Sequence, residues 1–168
     1  MKIKRRYFGE ILRKAADEMI AENFLEAYKN YDSFLIYNSF STEARTDLII
    51  SGLLDAGKKV YLPRVEGEEI VAVPYGELKA GAFGISEPQG EKYTGAIDVT
   101  AAPLLAVNER GFRLGYGGGF YDRYFKNAVT KRVGLGYYFQ IEEFEEDDFD
   151  EPLDEFLCER GIYYFGRE

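Results

Sequence analysis

The chain has 168 residues, of which 46% are hydrophobic and 16% aromatic, so it is rich enough in apolar side chains to form a packed core. Its formal charge of −9 opposes nonspecific attraction to nucleic acid or to an anionic membrane. It has no histidine and one cysteine, Cys158, which excludes Ser-His and Cys-His catalytic pairs, imidazole zinc sites and an internal disulfide. Acid-base chemistry therefore falls to carboxylates, Lys or Tyr.

The organisation of the chain favours one domain spanning residues 1–168, because the length suits a single core and no repeat or linker interrupts it. The N-terminal segment is charged throughout, and no apolar stretch reaches the roughly 18 residues that a membrane span needs. We expect a cytoplasmic monomer whose partner is a small molecule, with neither nucleic acid nor membrane as a partner.

The first third of the chain predicts a helix, a strand and a second helix. Apolar residues recur at helical spacing from Phe8 onward and predict a long first helix with one buried face: Ile11, Leu12, Ala15, Ala16, Met19 and Ile20. "SFLIYN" (33–38) predicts a short buried strand. "STEARTDLIISGLLDAG" (41–57) predicts a helix with Ser41 or Thr42 as N-cap and Gly57 as its terminator.

The rest of the chain continues this alternation. The predicted strands are 58–65, ending at Pro63 and Arg64, then 69–76, one beginning at 97 within 97–107, 132–139 and 162–165, with a surface loop at 77–95 and a helix at 120–129. Strands that alternate with helices predict an α/β fold with a mostly parallel sheet covered on both faces. In such sheets ligands bind outside the carboxyl ends of the strands.

A glycine-rich segment, "NERGFRLGYGGGFYDRYF" (108–125), follows one of these predicted strands. Glycines let consecutive backbone N–H groups turn inward around an anion, and a helix N-terminus directly behind them adds further donors, so the segment predicts a phosphate site. Asp122 in the first helical turn is placed to hold a magnesium ion on that phosphate. The segment lacks the Lys-Ser or Lys-Thr of the common nucleotide loop, and a tight strand-to-helix connection capped by Asp122 is the alternative.

The residues of this segment are more specific than its glycine content. "RLGYGGGFYDRYF" (113–125) resembles the signature of the 5-formyltetrahydrofolate cyclo-ligase family. Further counterparts occur in that family's order: the basic residues Lys2, Arg6 and Arg13, "EART" (43–46), "YLPRV" (61–65), "FGISEP" (83–88), "VGLGYYFQ" (133–140) and "DEPLDEFLCE" (150–159). The resemblance thus covers nearly the whole chain.

Four positions depart from the family's pattern. Phe120 stands where a tyrosine is common, Asn108 where an aspartate often precedes the signature, Arg45 where an acidic residue is usual, and Phe149 where a histidine is typical. These departures leave room for a shifted substrate preference and for a different pH dependence.

The resemblance implies a single three-layer α/β/α domain, similar to the phosphosugar isomerase and CoA transferase fold. It implies ATP- and Mg²⁺-dependent conversion of 5-formyltetrahydrofolate to 5,10-methenyltetrahydrofolate, with ADP and phosphate released after phosphorylation of the formyl oxygen and ring closure. Two other hypotheses remain at this point. One is a noncatalytic protein that binds reduced folate or nucleotide, and the other, from the fold alone, is a sugar-phosphate isomerase.

The resemblance also implies roles for individual residues. Arg113 and Asp122 are the implied catalytic residues, and Asp122 and Asp150 the implied metal ligands. The implied nucleotide-binding residues are Lys2, Arg6, Arg113, Gly115, Tyr116, Gly117, Gly118, Gly119, Phe120 and Tyr121. The implied folate-binding residues are Asn38, Glu43, Tyr116, Gly117, Gly118, Gly119 and Phe120, with Tyr37 as an alternative to Asn38.

Several of these residues have a purely structural alternative. Phe120 has the alternative of packing in the core, and Glu43 that of a carboxylate in the first turn of a helix. Ten of the fourteen residues from Glu142 to Glu155 are acidic, which for most of them is typical of a solvated loop. Cys158 has no base or cation nearby in the sequence, so we expect it to be packed and unreactive.

Overall fold

Helices and strands alternate through residues 9–76, 78–80 and 86–166, the part of the chain that the computed structural model describes. The helices are α1 (Glu10–Ala27), α2 (Asp47–Asp55) and α3 (Phe120–Asn127), with a short 3-10 turn at Tyr138–Gln140. The strands are β1 (Ser33–Ile36), β2 (Lys59–Glu66), β3 (Glu69–Pro74), β4 (Leu78–Ala80), β5 (Ser86–Pro88), β6 (Val99–Ala102), β7 (Ala106–Val107), β8 (Arg113–Leu114), β9 (Lys131–Leu135), β10 (Glu155–Cys158) and β11 (Gly161–Tyr164).

The central sheet has seven strands in the order β11-β10-β9-β6-β1-β2-β3. The five inner strands run parallel, while β3 and β11 close the two edges in antiparallel pairs. The mostly parallel α/β sheet predicted from the sequence is confirmed. Because the inner strands are parallel, the segments that follow β1, β6 and β9 emerge side by side at one edge.

Helices cover both faces of the sheet. In β1, Phe34 and Ile36 pack in the cluster formed with α1 and α2, whereas Leu35 packs on the opposite face with a residue of α3, Tyr124. Burial on both faces explains why β1 is apolar without alternation. No helix within the described residues is long and apolar enough to cross a membrane.

The first helix forms as predicted, but its predicted buried face is only partly confirmed: Ala16 and Ile20 are buried, whereas the other four residues are exposed. Ile11, Leu12 and Met19 are 87%, 63% and 49% exposed, and Ala15 is exposed as well. The buried residues are Ala16, Asp17, Ile20, Ala21 and Phe24. The polar Asp17 belongs to the buried face, where it accepts hydrogen bonds from the Tyr137 hydroxyl and from the backbone N–H of Arg45.

The second helix begins later than predicted. Its N-cap is Thr46 rather than Ser41 or Thr42, and residues 41–46 form a turn after β1. The turn is fixed by the Thr46 hydroxyl, which donates to Tyr37 O at 2.7 Å and accepts from Ser39 N at 3.1 Å. The predicted terminator is confirmed, since Gly57 has a φ of +74° directly after the helix.

Several predicted element ends and loops differ from the structure. The strands predicted at 69–76 and 132–139 end at Pro74 and Leu135, and the helix predicted at 120–129 ends at Asn127. β2 continues through Pro63 and Arg64 to Glu66. A proline is tolerated at position 63 because the pairing of β2 with β1 ends at Tyr61, so no hydrogen bond to β1 requires an N–H at that position. The predicted loop at 77–95 contains the β4–β5 hairpin. The strand β10 was not predicted, because its four buried residues adjoin the acidic segment that favoured a loop.

The prediction that Cys158 is packed is confirmed. The side chain is fully buried in β10, and this burial raises the pKa of its thiol to about 11. The thiol is therefore neutral and unreactive near neutral pH.

The acidic segment is tied to the hairpin that precedes the glycine-rich turn. Arg110 donates to the carboxylates of Glu143 (2.8 Å) and Glu146 (2.9 Å) and to Phe144 O (2.7 Å). The buried amide of Asn108 donates to Phe144 O and to Glu146, both at 3.1 Å. An aspartate at position 108 would have no N–H to donate to these two acceptors. The asparagine that this chain has instead can donate a hydrogen bond to Glu146.

Two phenylalanines differ sharply in burial and provide a matched stability test. Phe24 is fully buried and packs its ring 4.7 Å from that of Tyr28, whereas Phe149 is 87% exposed. We expect Phe24→Ala to lower the free energy of unfolding by about 3 to 5 kcal/mol, because it leaves a cavity, and Phe149→Ala to change it by less than about 0.5 kcal/mol. Urea denaturation measures both values, and equal losses would contradict the described core.

The Asn108 contacts predict a destabilising charge pair in Asn108→Asp. We expect a loss of about 1 to 3 kcal/mol in the free energy of unfolding at neutral pH, because the buried carboxylate faces two acceptors. Adding Glu146→Gln restores a donor and should recover part of the loss, while Asn30→Asp on the exposed surface is the control. Denaturation of these three variants and of Glu146→Gln alone measures this, and additive losses in the double variant would contradict the contact.

Candidate active site

The candidate site lies where the segments after β1, β6 and β9 meet at the carboxyl edge of the sheet. The turn after β1 contains Glu43, and the chain after β6 runs through the β7–β8 hairpin into the glycine-rich turn and α3. The segment after β9 contains Asp150. Burial lowers the pKa of Arg113, and the nearby charges of Asp122, Asp150 and Glu43 oppose this shift.

The glycine-rich turn exposes backbone directly before α3. Gly119 is the N-cap of α3 with a φ of +68°, and Gly117 has a φ of +96°. A Cβ added to Gly117 would have no heavy atom within 4 Å, so this part of the turn borders open space. The first helical bond runs from Arg123 N to Gly119 O, which leaves the N–H groups of residues 120–122 ahead of the helical ladder.

Arg123 anchors this turn to the neighbouring β2–β3 hairpin. Its Nε donates to Glu68 O at 2.8 Å and its Nη2 donates to Gly118 O at 2.9 Å. The guanidinium also lies 5.0 Å from the ring centre of Phe120. Phe120 is half-buried against this cation and is not part of the core clusters, so the core alternative for Phe120 is wrong.

Arg113 is a buried cation at the start of the turn. Its side chain is 7% exposed, its Nε donates to Pro103 O at 3.0 Å, and its guanidinium lies 5.1 Å from the ring centre of Tyr121. Among the described residues no carboxylate lies within 4 Å of its nitrogens. Burial lowers its pKa, yet an arginine remains charged, so the site holds a positive charge for which the described part of the chain supplies no paired anion.

Asp122 and Asp150 form a pair of neighbouring carboxyl groups. Asp122 Oδ1 accepts from Glu151 N at 3.1 Å, and Asp150 Oδ2 accepts from Asp147 N at 2.8 Å. Burial, and further the hydrogen-bonded Asp150, raise the pKa of Asp122, while Glu151 N–H and Arg113 oppose the shift. The side chain of Asp122 does not cap α3, because no side-chain bond caps that helix, so the capping alternative is wrong.

This pair suits a magnesium ion that also binds phosphate. Mg²⁺ usually takes one or two carboxylates, with waters and substrate phosphates completing the octahedron. Within the described ranges no group of three or more acidic or cysteine side chains would hold a metal by itself. The two carboxylates therefore fit a metal brought in with a nucleotide better than a permanent metal centre.

Glu43 is a buried carboxylate in the turn between β1 and α2. It is 8% exposed, and its Oε1 accepts from Phe40 N at 2.7 Å. Since α2 begins at Asp47, the alternative of a first-turn helical carboxylate is wrong. Asn38 lies in the same segment and lines a polar cleft of about 300 Å³ with Arg13, Ser39, Ser41, Arg45 and Asp47.

The structure places five of the predicted site residues close enough for their charges to interact: Glu43, Arg113, Tyr121, Asp122 and Asp150. Tyr121 packs against the core beneath Arg113, Tyr116 is half-exposed in the turn, and Tyr37 is buried with its hydroxyl donating to Ala44 O at 2.7 Å. Lys2 and Arg6 lie outside the described residues. A second cleft, of about 410 Å³, lies between β3 and the end of α3 and contains none of the predicted site residues.

Four residues around the site were not predicted to support it: Arg13, Asp17, Arg123 and Tyr137. Arg123 lies within the glycine-rich signature and Arg13 within the basic N-terminal pattern, so proximity to those motifs was the available signal. Asp17 and Tyr137 lie 120 positions apart and meet only in the folded chain.

Comparison with known proteins gives a single family. The model of the 5-formyltetrahydrofolate cyclo-ligase family matches residues 1–159. A 5-formyltetrahydrofolate cyclo-ligase of Haemophilus influenzae is 35% identical over 136 residues, covering 73% of this chain and 73% of its own. The Escherichia coli K12 enzyme of the same name is 34% identical over 132 residues, covering 70% and 72%.

Solved structures agree with this assignment. The NMR structure of 5,10-methenyltetrahydrofolate synthetase from Aquifex aeolicus superposes with a TM-score of 0.86 at 31% identity, covering 98% of this chain and 89% of that one. The fold is also shared with a 5,10-methenyltetrahydrofolate synthetase from Mycoplasma pneumoniae, with a TM-score of 0.76, 23% identity and coverage of 93% and 92%. The chain therefore belongs to the 5-formyltetrahydrofolate cyclo-ligase family of enzymes.

Proposed function

We propose that this chain uses ATP and Mg²⁺ to convert 5-formyltetrahydrofolate to 5,10-methenyltetrahydrofolate, with release of ADP and phosphate. The observation that carries the proposal is Arg113, a buried cation without an ion-pair partner among the described residues, beside a glycine turn that borders open space. A buried charge of this kind is costly unless an anion completes the site. A triphosphate is an anion that suits both the cation and the backbone donors.

The chemistry of an N-formyl group explains the need for ATP. Its oxygen is a poor leaving group, so it first attacks the γ-phosphorus of ATP and the bond from that phosphorus to ADP breaks. The folate nitrogen N10 then attacks the formyl carbon and loses its proton, and the carbon–oxygen bond breaks as phosphate departs. Neither step needs a protein nucleophile, which is consistent with a chain that has no histidine.

In this proposal the glycine-rich turn binds the nucleotide. The amides of Gly115–Gly119 and the start of α3 face the phosphates, with Tyr116, Phe120 and Tyr121 beside them, and the Arg113 guanidinium neutralises charge on the transferred group. Lys2 and Arg6, outside the described residues, are proposed to bind the same phosphates. Positioning and charge neutralisation are the main contributions that phosphoryl transfer requires of a protein.

Asp122 and Asp150 are proposed to hold the magnesium ion. The ion would supply positive charge to the phosphate oxygens during transfer. The two carboxylates would keep the ion next to the glycine-rich turn. The orientation of the Asp122 carboxylate is fixed by the hydrogen bond that it accepts from Glu151 N.

The folate is proposed to bind on the side of the site formed by the turn after β1. The Glu43 carboxylate accepts hydrogen bonds from pterin N–H groups, and Asn38, Tyr116 and Phe120 line the space between pterin and nucleotide. We propose a single catalytic domain, since the sheet takes strands from residue 33 to residue 164 and the site takes residues from 38 to 150.

The direct test mixes purified protein with 5-formyltetrahydrofolate and Mg-ATP. We expect the near-ultraviolet absorbance of the methenyl product to appear with one ADP per product, and only when ATP is present. Substrate binding without turnover would identify a noncatalytic binder and contradict the proposal. Turnover of a sugar phosphate without ATP would contradict it as well.

Asp122→Ala tests the proposed metal ligand. We expect kcat to fall by about a hundredfold or more, because a preorganised electrostatic partner of the transferred phosphoryl group is lost. Asp148→Ala, in the exposed part of the acidic segment, is the control and should leave kcat within about twofold. Steady-state kinetics measures both, and a wild-type rate for Asp122→Ala would exclude Asp122 as a metal ligand.

A further inference from the structure

The turn that carries Glu43 is held from outside by a side chain of α1. Arg13 Nη2 donates to Ser41 O and to Glu43 O, each at 2.9 Å. A single guanidinium nitrogen thus donates hydrogen bonds to two backbone carbonyls of this turn, those of Ser41 and Glu43. Ser41 has a φ of +56°, which a non-glycine residue seldom adopts, so this turn needs outside support to keep its shape.

Two buried groups complete the network around Arg13. The Tyr137 hydroxyl donates to Asp17 Oδ1 at 2.7 Å and accepts from Arg13 Nε at 3.1 Å. Asp17 Oδ1 also accepts from Arg45 N at 3.2 Å. The network therefore joins α1, the segment after β9 and the backbone on both sides of Glu43.

The network includes a buried carboxylate that lowers the stability of the fold. Asp17 is 4% exposed, and its Oδ2 has no hydrogen-bond partner within the described part of the chain, with Arg13 Nε 3.8 Å away. Burial raises the pKa of Asp17, against the opposing effects of Tyr137, Arg45 and Arg13. A buried carboxylate with an unmet oxygen destabilises a fold, so its contribution lies in what it orients.

What the network orients is the backbone on either side of Glu43. The carbonyls at 41 and 43 and the N–H at 45 are all bound by Arg13 and Asp17. The Glu43 side chain is bound locally, through Phe40 N. Loss of a hydrogen bond from Arg13 or to Asp17 is therefore expected to shift the Glu43 carboxylate while leaving its bond from Phe40 N in place.

We propose that Arg13, Asp17 and Tyr137 are positioning residues, which influence the affinity for the reduced folate by fixing Glu43. The inference rests on the proposed function, in which Glu43 binds the pterin. The proposal thus adds three residues that influence folate affinity, all of which lie outside the glycine-rich signature and outside the Asp122–Asp150 pair.

Kinetic variants test the role of each residue. Tyr137→Phe removes one hydroxyl, and Arg13→Gln removes the donor to both carbonyls. We expect each to raise the KM for 5-formyltetrahydrofolate by about tenfold, equivalent to one hydrogen bond, and to leave the KM for ATP within about twofold. Lys14→Gln, exposed on the same helix, is the matched control with wild-type constants.

Asp17 offers a conservative rescue. Asp17→Asn retains an acceptor for Tyr137 and Arg45 and should keep the folate KM within about threefold of wild type, whereas Asp17→Leu has no acceptor and should show the full increase. Equal values for the two variants would contradict a positioning role, because a merely space-filling side chain would not distinguish them.

A double-mutant cycle separates positioning from direct binding. Calorimetric titration with 5-formyltetrahydrofolate is carried out for the wild type, Arg13→Gln, Glu43→Gln and the double variant. If Arg13 acts through Glu43, Arg13→Gln has almost no further effect once Glu43→Gln is present. Additive losses would show that Arg13 contacts the folate itself and would overturn the proposal, as would an unchanged affinity in Arg13→Gln.

Hydrogen exchange keeps the test independent of the proposed activity. The Arg45 amide is bound by Asp17, so it should exchange faster in Asp17→Leu than in Asp17→Asn, with core amides of β6 unchanged. Unchanged exchange at Arg45 would overturn the network even in an active enzyme. Wild-type protein without folate binding or turnover would contradict the proposed function alone, and the Arg45 result would still decide whether the network exists.

Discussion

The buried guanidinium of Arg113 is the constraint on which the site depends. It is taken out of water at the carboxyl end of β6, bound through Nε to Pro103 O, and it has no ion-pair partner within the described residues. The neighbouring carboxylates of Asp122, Asp150 and Glu43 interact with its charge from a distance rather than pairing with it. The site thus combines a buried cation with neighbouring carboxylates, an arrangement that suits a phosphate with a divalent metal.

The supporting contacts explain how loops hold such an arrangement. Arg123 ties the glycine-rich turn to the β2–β3 hairpin, Arg110 and Asn108 tie the acidic segment to the β7–β8 hairpin, and Arg13 ties the Glu43 turn to α1. In each case a side chain with several donors binds backbone carbonyls of the loop. Multiple donors on one planar group fix a loop more firmly than single contacts do, which is why arginine recurs in this role.

The sequence predicted the parts of the fold that depend on local patterns. The alternation of helices and strands and the helix after the glycines followed from periodicity and glycine chemistry, while the family resemblance pointed to Arg113, Asp122 and Glu43 as candidate site residues. The buried face of α1 was only partly predicted, because Asp17 is buried through hydrogen bonds from the Tyr137 hydroxyl and from the backbone N–H of Arg45, contacts that no local pattern encodes. The predicted start of α2 was wrong for a related reason. Thr46, which lies inside the predicted helix, forms hydrogen bonds with Tyr37 and Ser39 across the turn and is the N-cap of the observed helix.

A crystal structure of the protein with Mg-ATP tests the central claim most directly. The account predicts the triphosphate against the backbone of Gly115–Gly119, with a phosphate oxygen within hydrogen-bond distance of the Arg113 guanidinium and the metal between Asp122, Asp150 and the phosphates. A triphosphate bound in another cleft, with Arg113 still unpaired, would contradict it.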